Sequence, residues 1–484
     1  MEASADGTRI LRDLIIAGDR KWSVFGEFIQ WRERRPARFL PGVPWRVMRK
    51  CGKMMNAVKK YFGFEERGTN LRTEILAGVT TFLSMAYILV VNPALFSEGG
   101  VPFSGCYIAT ILASALACMV MGAVSNYPIS IAPGLGINAY LVYTVIIAQH
   151  HSWQEALGAA CVASGLFILI SITSFRQLFV DSIPKSLKAG ITVGIGLFVS
   201  LIGMKQGHLL VANPNTFTGI GPLSDPTMCF TLLGLFITMT LIVRKVWGAI
   251  FWGLVLMTIA SLCMWYMSLP DVPLRWPGGF SETAFQLSFD NLLETTDVII
   301  TLLLVTLFDT TGTLIGVGKQ AGIIRDNHFP NLQSALMADS VGSFFGSFLG
   351  TGPLSSFVES GTGVAAGGRT GLATIVTGVL FLVMLFFQPV IEMLAHQGAI
   401  AAPALILVGM FMMADVVEID WHDMEEAIPA FFTIMITPLG FSIAIGVGAG
   451  MLIYAFLKIA AGKWREVHPM LYFITVLLMA GILF

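Results

Sequence analysis

Residues 298–318 read VIITLLLVTLFDTTGTLIGVG, an apolar run with a single carboxylate, Asp309, near its middle. As a helix the run is long enough to cross roughly 30 Å of hydrocarbon. An ionisable group at that depth costs about 2.5–3.5 kcal/mol on insertion scales, so it usually faces a cavity or a partner rather than lipid. Asp309 is the first candidate functional residue.

The rest of the chain is equally apolar. Of 484 residues, 55% are hydrophobic and 12% charged, with a mean hydropathy of +0.76, which excludes an ordinary soluble protein. Apolar stretches of roughly 17–25 residues recur from Glu74 onward, whereas the ten-residue alternation of a membrane barrel does not. The expected fold is an all-α polytopic membrane protein. The basic residues sit at span ends rather than in one dense patch and the formal net charge is -1, so charge reports topology, and no nucleic-acid partner is expected. Six cysteines form no CxxC pair, and seven histidines fall in loops or at span ends. Structural disulfides, a metal site and a histidine relay are not expected, and thiols within spans are expected to behave as small hydrophobes. GxxxxGK[ST], HExxH and a well-placed GxSxG are absent, so the chain is not read as an enzyme and needs no cofactor.

Residues 1–53 differ in character. Arg32, Arg34, Arg35 and Arg38 crowd among prolines, without the apolar core and cleavage site of a signal peptide. They read either as a basic amphipathic segment on the cytoplasmic face or, preferably, as a leader upstream of a start at Met54 or Met55. Spans are expected at 75–96, 101–125, 127–147, 153–173, 189–207, 227–243 and 248–267, then at 297–319, 333–350, 351–368, 370–394, 401–417, 427–438 and 440–459. The loops 174–188, 244–245 and 319–328, with Arg369, carry Lys or Arg on one side, which the positive-inside rule makes cytoplasmic. The N-terminal side is then inside a cell membrane. Residues 54–268 form a first repeat of seven spans, 269–296 an external linker, 297–459 a second repeat of seven, and 460–484 a tail with a short apolar helix.

Two of these fourteen spans are not plain helices. Span 3 contains Pro128, Pro133, Gly134 and Gly136, and span 10 contains Gly352 and Pro353. Helix breakers at membrane depth predict a short extended stretch and a half-helix lining a cavity. Setting Gly122 against Gly342 sets Pro133 against Pro353, 220 positions apart. An odd number of spans per repeat inverts the second copy, and inverted repeats whose broken helices meet at the midplane form the binding site of many secondary transporters.

Asp309, Glu359 at the second break and Asn138 at the first fall at midplane positions. Asn138 alone is as readily explained by hydrogen bonding between helices. The two acids have no Lys or Arg at membrane depth, so each invites a proton, a sodium ion or the N–H groups of a neutral ligand. Half-helix starts at 135–138 and 358–361 are expected to offer backbone N–H donors, which places Gly136, Val358 and Ser360 beside the ligand with Asn138. Donors next to acceptors suit a flat heterocycle better than a sugar or a lipid. Glu359 and Asp309 are also the candidate coupling groups, with H⁺ preferred and Na⁺ admitted. Asp339, nearer the cytoplasmic end of span 9, reads as structural or gating. The acidic run 415–426 reads as a solvated loop.

Four stretches carry a family resemblance: GTNLRTEILAGVTTFLSMAYILVVNP (68–93), APGLGINAY (132–140), LFDTTGTLIGV (307–317) and VESGTGVAAGGRTG (358–371). Together they resemble the AzgA-like branch of the nucleobase–cation symporters, purine permeases for hypoxanthine, guanine or adenine. The resemblance runs from about Met55 to the end. It implies proton-coupled import by a core domain (spans 1–4 and 8–11) moving against a gate domain (spans 5–7 and 12–14), often in a homodimer. It also implies that the acids matching Asp309 and Glu359, with the amide matching Asn138, surround the base. Residues 1–53 have no counterpart, and GPLSSF (352–357) stands where the family more often has a Thr/Ser-rich run ending in Tyr.

Other readings remain on the same residues. An anion transporter of the same fold is expected to carry a cation near the second half-helix, where this chain has Glu359. A Na⁺-coupled uracil or xanthine transporter shares the site logic. An intramembrane enzyme using Asp309 and Glu359 as an acid–base pair lacks a nucleophile or a metal-ligand set.

Overall fold

A computed structural model describes residues 56–173, 182–264, 267–268, 270, 272–292, 294–323, 330–395 and 397–483. The expectations for residues 1–53 lie outside them. Helices are numbered from Leu71.

The first apolar run forms α1 (Leu71–Met85) and α2 (Ile88–Glu98), separated by a turn at Ala86 and Tyr87. The Asn70 side chain starts α1 by accepting the Thr73 N–H. Helix α3 (Phe103–Val120) runs on through a wide π turn, Met121–Ser125, to Asn126 in the left-handed conformation. Strand β1 (Ile131–Pro133), the short α4 (Leu135–Ala139) and a π-helical continuation, Tyr140–Ala148, follow. Ser152 and Glu155 form a capping box at the start of α5 (Trp153–Ile172). After α6 (Lys185–Gln206), a hairpin of β2 (Leu210–Asn213) and β3 (Phe217–Ile220) leads to α7 (Pro226–Val243) and α8 (Ala249–Cys263). His208 Nδ1 lies 2.6 Å from Asp225 Oδ2 across the base of this hairpin, and this hydrogen bond holds the Asp225 carboxyl below its ordinary range.

The second half begins with α9 (Thr296–Gln320) and α10 (Leu332–Leu349), followed by β4 (Leu354–Ser356) and the short α11 (Ser360–Ala365). Helices α12 (Gly371–Met384), α13 (Gln388–Ala395), α14 (Gly398–Met412), α15 (Met424–Leu439), α16 (Ile443–Ala460) and α17 (Pro469–Leu483) complete the chain. Among the described residues nine helical stretches are long and apolar enough to cross a membrane, with shorter apolar helices at Leu135–Ala148, Ala249–Cys263 and Pro469–Met479. The chain is a multi-pass helical membrane protein. Several of the remaining expected spans differ from a plain apolar helix for physical reasons: α8 and α15 have 15 and 16 residues, and α10 carries Asp339 and several serines.

Strands β1 and β4 pair antiparallel, with Ile131 opposite Ser356, Ala132 opposite Ser355 and Pro133 opposite Leu354. The Gly134 N–H reaches Pro353 O at 3.1 Å, and the Phe357 N–H reaches Ser130 O at 3.0 Å. A ribbon of two strands leaves outer backbone groups open, and hydrocarbon offers no water to pair them. Side chains supply the partners. Cys118 Sγ accepts from the Ile131 N–H at 3.3 Å and donates to Ile131 O at 3.2 Å. Ser343 Oγ accepts from the Leu354 N–H at 3.1 Å and donates to Leu354 O at 2.6 Å. Cys118 is thus a backbone hydrogen-bond partner rather than the inert small hydrophobe expected from sequence.

Helix packing falls into two groups. In one, α12 packs on α1 and α3, α10 on α3 and α5, α5 on α9, and α11 on α1; in the other, α6 packs on α14 and α15, α15 on α16, and α7 on α8 and α14. Small residues let the helices approach closely. The backbones of Gly122 and Gly371 touch, so a side chain at Gly371 would strike the partner's main chain.

Candidate functional site

Asp309 lies midway along α9, and Glu359 immediately precedes α11. Strand β4 stands between them. The Ser355 side chain hydrogen-bonds the Asp309 carboxylate, which also feels the charges of Glu359 and Asp415. Side chains alternate along a strand, so Ser356 points the other way, and its hydroxyl donates to Asp339 Oδ1 at 3.1 Å. Thr310, next to Asp309, donates to Asp339 Oδ2 at 2.6 Å. Asp339 is fully buried and held on both oxygens between α9, β4 and α10.

Glu359 accepts from the Tyr87 hydroxyl on Oε1 at 2.6 Å. Beside it Val358 is 61% exposed, and the Val358 N–H enters no backbone–backbone hydrogen bond among the described residues. Neither acid forms an ion pair among the described residues. On α9 the positions one and two turns beyond Asp309, Gly312 and Gly316, are exposed, with nothing within 4 Å of where a Cβ would stand. In the opposite direction Val305, Leu302 and Val298 are buried, at 2%, 1% and 0% exposure. The space beside Asp309 is therefore open toward Lys319 and closed toward Thr296.

Three residues expected against the ligand are engaged elsewhere. Ser360 is fully buried, and its hydroxyl accepts the Ser130 N–H at 2.9 Å. A side chain at Gly136 would collide with Ile195 of α6, so Gly136 marks a close approach of α4 to α6. Asn138 Nδ2 donates to Asn92 Oδ1 at 2.8 Å and to Thr351 O at 3.2 Å. Asn92 in turn donates to the Thr110 and Thr351 hydroxyls at 2.9 and 2.8 Å. Asn138 shares no hydrogen bond with either acid among the described residues, and its buried Oδ1 has no partner. The asymmetry has a simple cause: the start of α4 is pressed against α6, whereas Val358, before α11, is exposed.

Several polar residues at or near these elements give no signal in the sequence. Tyr87 and Ser355 look like ordinary members of apolar or Ser-rich runs. Glu74 is fully buried and accepts from the Thr69 hydroxyl at 2.7 Å and from the Arg369 and Thr370 N–H groups at 2.9 and 3.2 Å. Arg67 donates to the carbonyls of Asn126 and Arg369, both at 2.8 Å. At the other end, Glu98 accepts from Tyr143 Oη at 2.8 Å and from Gln206 Nε2 at 2.6 Å, and Lys205 Nζ lies 5.0 Å from the Tyr143 ring centre. In the run 415–426, Asp415, Glu418, Asp420 and Asp423 are exposed, as expected of a solvated loop, while Glu425 pairs with Lys458 and Lys463, both at 2.6 Å.

The Xan_ur_permease model of the permease family matches residues 72–480. The guanine/hypoxanthine permease PbuO of Bacillus subtilis (strain 168) is 42% identical over 418 residues, 84% of this chain and 96% of that protein. The adenine permease AdeP of Escherichia coli (strain K12) is 36% identical over 431 residues, 88% of this chain and 96% of that protein. Among solved structures, the transmembrane domain of a cyanobacterium bicarbonate transporter, BicA, matches with a TM-score of 0.60 at 16% identity, covering 79% of this chain and 97% of that one. SLC26A9 matches with a TM-score of 0.57 at 11% identity, covering 88% and 73%. These two likenesses concern the fold alone. The chain is a transporter rather than an enzyme, and it belongs to the permease family.

Proposed function

We propose that this chain is a secondary active importer of purine nucleobases, namely hypoxanthine, guanine or adenine, driven by proton symport. The observation that carries this reading is the pair Asp309 and Glu359, two interacting carboxylates without a cationic partner among the described residues, with exposed positions next to each, Gly312 and Gly316 on α9 and Val358 before α11. A purine edge carries N–H donors that both acids accept, and acceptors that the Val358 N–H meets. A proton taken up with the base offsets the cost of two acids in a low-dielectric site. The guanine/hypoxanthine and adenine permeases among the relatives support the choice of base. A bicarbonate-like anion is disfavoured, because both acids repel it.

Transport proceeds by alternating access. The core comprises α1–α5 and α9–α13, the gate α6–α8 and α14–α16, and the two packing groups support that division. The matching parts played by Cys118 and Ser343 support inverted repeats of seven spans each. The N-terminal side is cytoplasmic in the cell membrane. The space beside Asp309 then opens inward, toward Lys319, while Glu98 and Gln206 join core to gate on the outside.

Uptake of radiolabelled hypoxanthine, guanine, adenine, xanthine and uracil in a permease-deficient host, at two external pH values with and without an uncoupler, tests this. Purine uptake that the uncoupler abolishes is expected. No uptake of any purine overturns the reading, and Na⁺-dependent, uncoupler-insensitive uptake overturns the proton part.

A further inference from the structure

We propose that Tyr87 is a positioning residue for transport, fixing the Glu359 carboxylate so that one oxygen is held by the protein and the other meets the base. This rests on the reading of Glu359 as a substrate contact.

Tyr87 lies at the turn between α1 and α2, with its side chain 1% exposed. Its hydroxyl donates to Glu359 Oε1 at 2.6 Å, across 272 positions of sequence. No other residue's side chain hydrogen-bonds the Glu359 carboxylate among the described residues; its remaining hydrogen bond comes from its own backbone N–H. The phenol is itself fixed by its surroundings. One turn earlier, Ser84 Oγ lies 3.0 Å from Thr362 Oγ1, and that threonine donates to the Glu359 carbonyl at 2.7 Å. Another turn back, Thr81 and the Ala77 carbonyl bear on Gly363 so closely that no side chain fits there. Helix α1 thus grips α11 at successive turns, and its last contact falls on the carboxylate. A freely rotating Glu side chain would have to be ordered each time a base binds, and such ordering weakens binding.

Tyr87→Phe retains the ring packing and removes only the hydroxyl. Uptake kinetics of this variant, with membrane abundance measured alongside, are expected to show a KM for purine raised roughly two- to tenfold, the scale of ordering one side chain on binding, with Vmax per transporter within about twofold. A purely structural role would instead lower abundance and leave KM unchanged, and that result overturns the proposal. Glu359→Gln separates the two layers. If it is inactive while Tyr87→Phe has the wild-type KM, the tyrosine proposal alone falls. If Glu359→Gln transports like wild type, the reading of the site falls, and the tyrosine proposal with it.

Discussion

Cys118 and Ser343 occupy matching places on the two sides of the strand crossing. Each takes both backbone groups of the first residue of a strand, Ile131 for the cysteine and Leu354 for the serine. The two side chains are 225 positions apart (343 − 118), whereas the Pro133/Pro353 alignment has an offset of 220 (353 − 133). The offset read from matching letters and the offset read from contacts therefore differ by five positions (225 − 220).

Cys118→Ala and Ser343→Ala each leave an N–H and a C=O unpaired where no water reaches. Each orphaned group costs about 1–3 kcal/mol, so both variants should melt several degrees lower in detergent than wild type. Cys118→Ser preserves a donor and an acceptor and should stay close to wild type. A Cys118→Ala protein as stable as wild type would contradict this account of the strands.

Asp309 and Asp339 lie back to back across α9 and β4, and they should respond differently to mutation. Asp339→Ala strands the hydroxyls of Thr310 and Ser356, at about 1–3 kcal/mol each, and should sharply reduce the yield of monodisperse protein. Asp309→Asn keeps a partner for Ser355 and should leave the yield intact. Fluorescence-detected size exclusion reads both, and equal yields for the two variants would count against the assignment.

The contact of Glu98 with Gln206 should hold the external side shut. Gln206→Ala removes one hydrogen bond to a charged group, about 1.5–3 kcal/mol when buried and less at this exposed end. The inward-facing population should therefore fall by roughly two- to tenfold. A cysteine placed at Gly316, with Cys51, Cys229 and Cys263 changed to serine, reports this by labelling with an impermeant maleimide from the cytoplasmic side. Slower labelling in the Gln206→Ala background is expected, and an unchanged rate would show that the contact does not set the equilibrium.

What the sequence reveals here depends on how unusual each residue is in its setting. An acid inside an apolar run stands out by its desolvation cost alone, and that is why Asp309 and Glu359 are legible. Pro133 and Pro353 mark the places where a helix cannot continue, and three-residue strands occupy or adjoin both. Tyr87 gives no such signal. A hydroxyl in an apolar helix is commonplace, and its partner is 272 positions away. Gly136, Asn138 and Ser360 have types and places that suit a ligand, and their contacts with Ile195, Asn92 and Ser130 could not be read from the sequence. Local pattern fixes where the chain breaks, and tertiary packing decides which side of each break stays open. Glu74 illustrates the same point at the start of α1, where the Arg369 and Thr370 amides, 295 and 296 positions away, converge on its carboxylate.

The central claim is that Asp309 and Glu359 together hold a purine base. Equilibrium binding of radiolabelled hypoxanthine, guanine and adenine to purified protein, for wild type, Asp309→Asn and Glu359→Gln, tests it without depending on the coupling ion. Saturable binding of at least one purine to wild type, weakened about tenfold or more in each variant as expected for a lost charge-assisted hydrogen bond, is the predicted result. Wild-type affinity in both variants, with each protein folded, would contradict it.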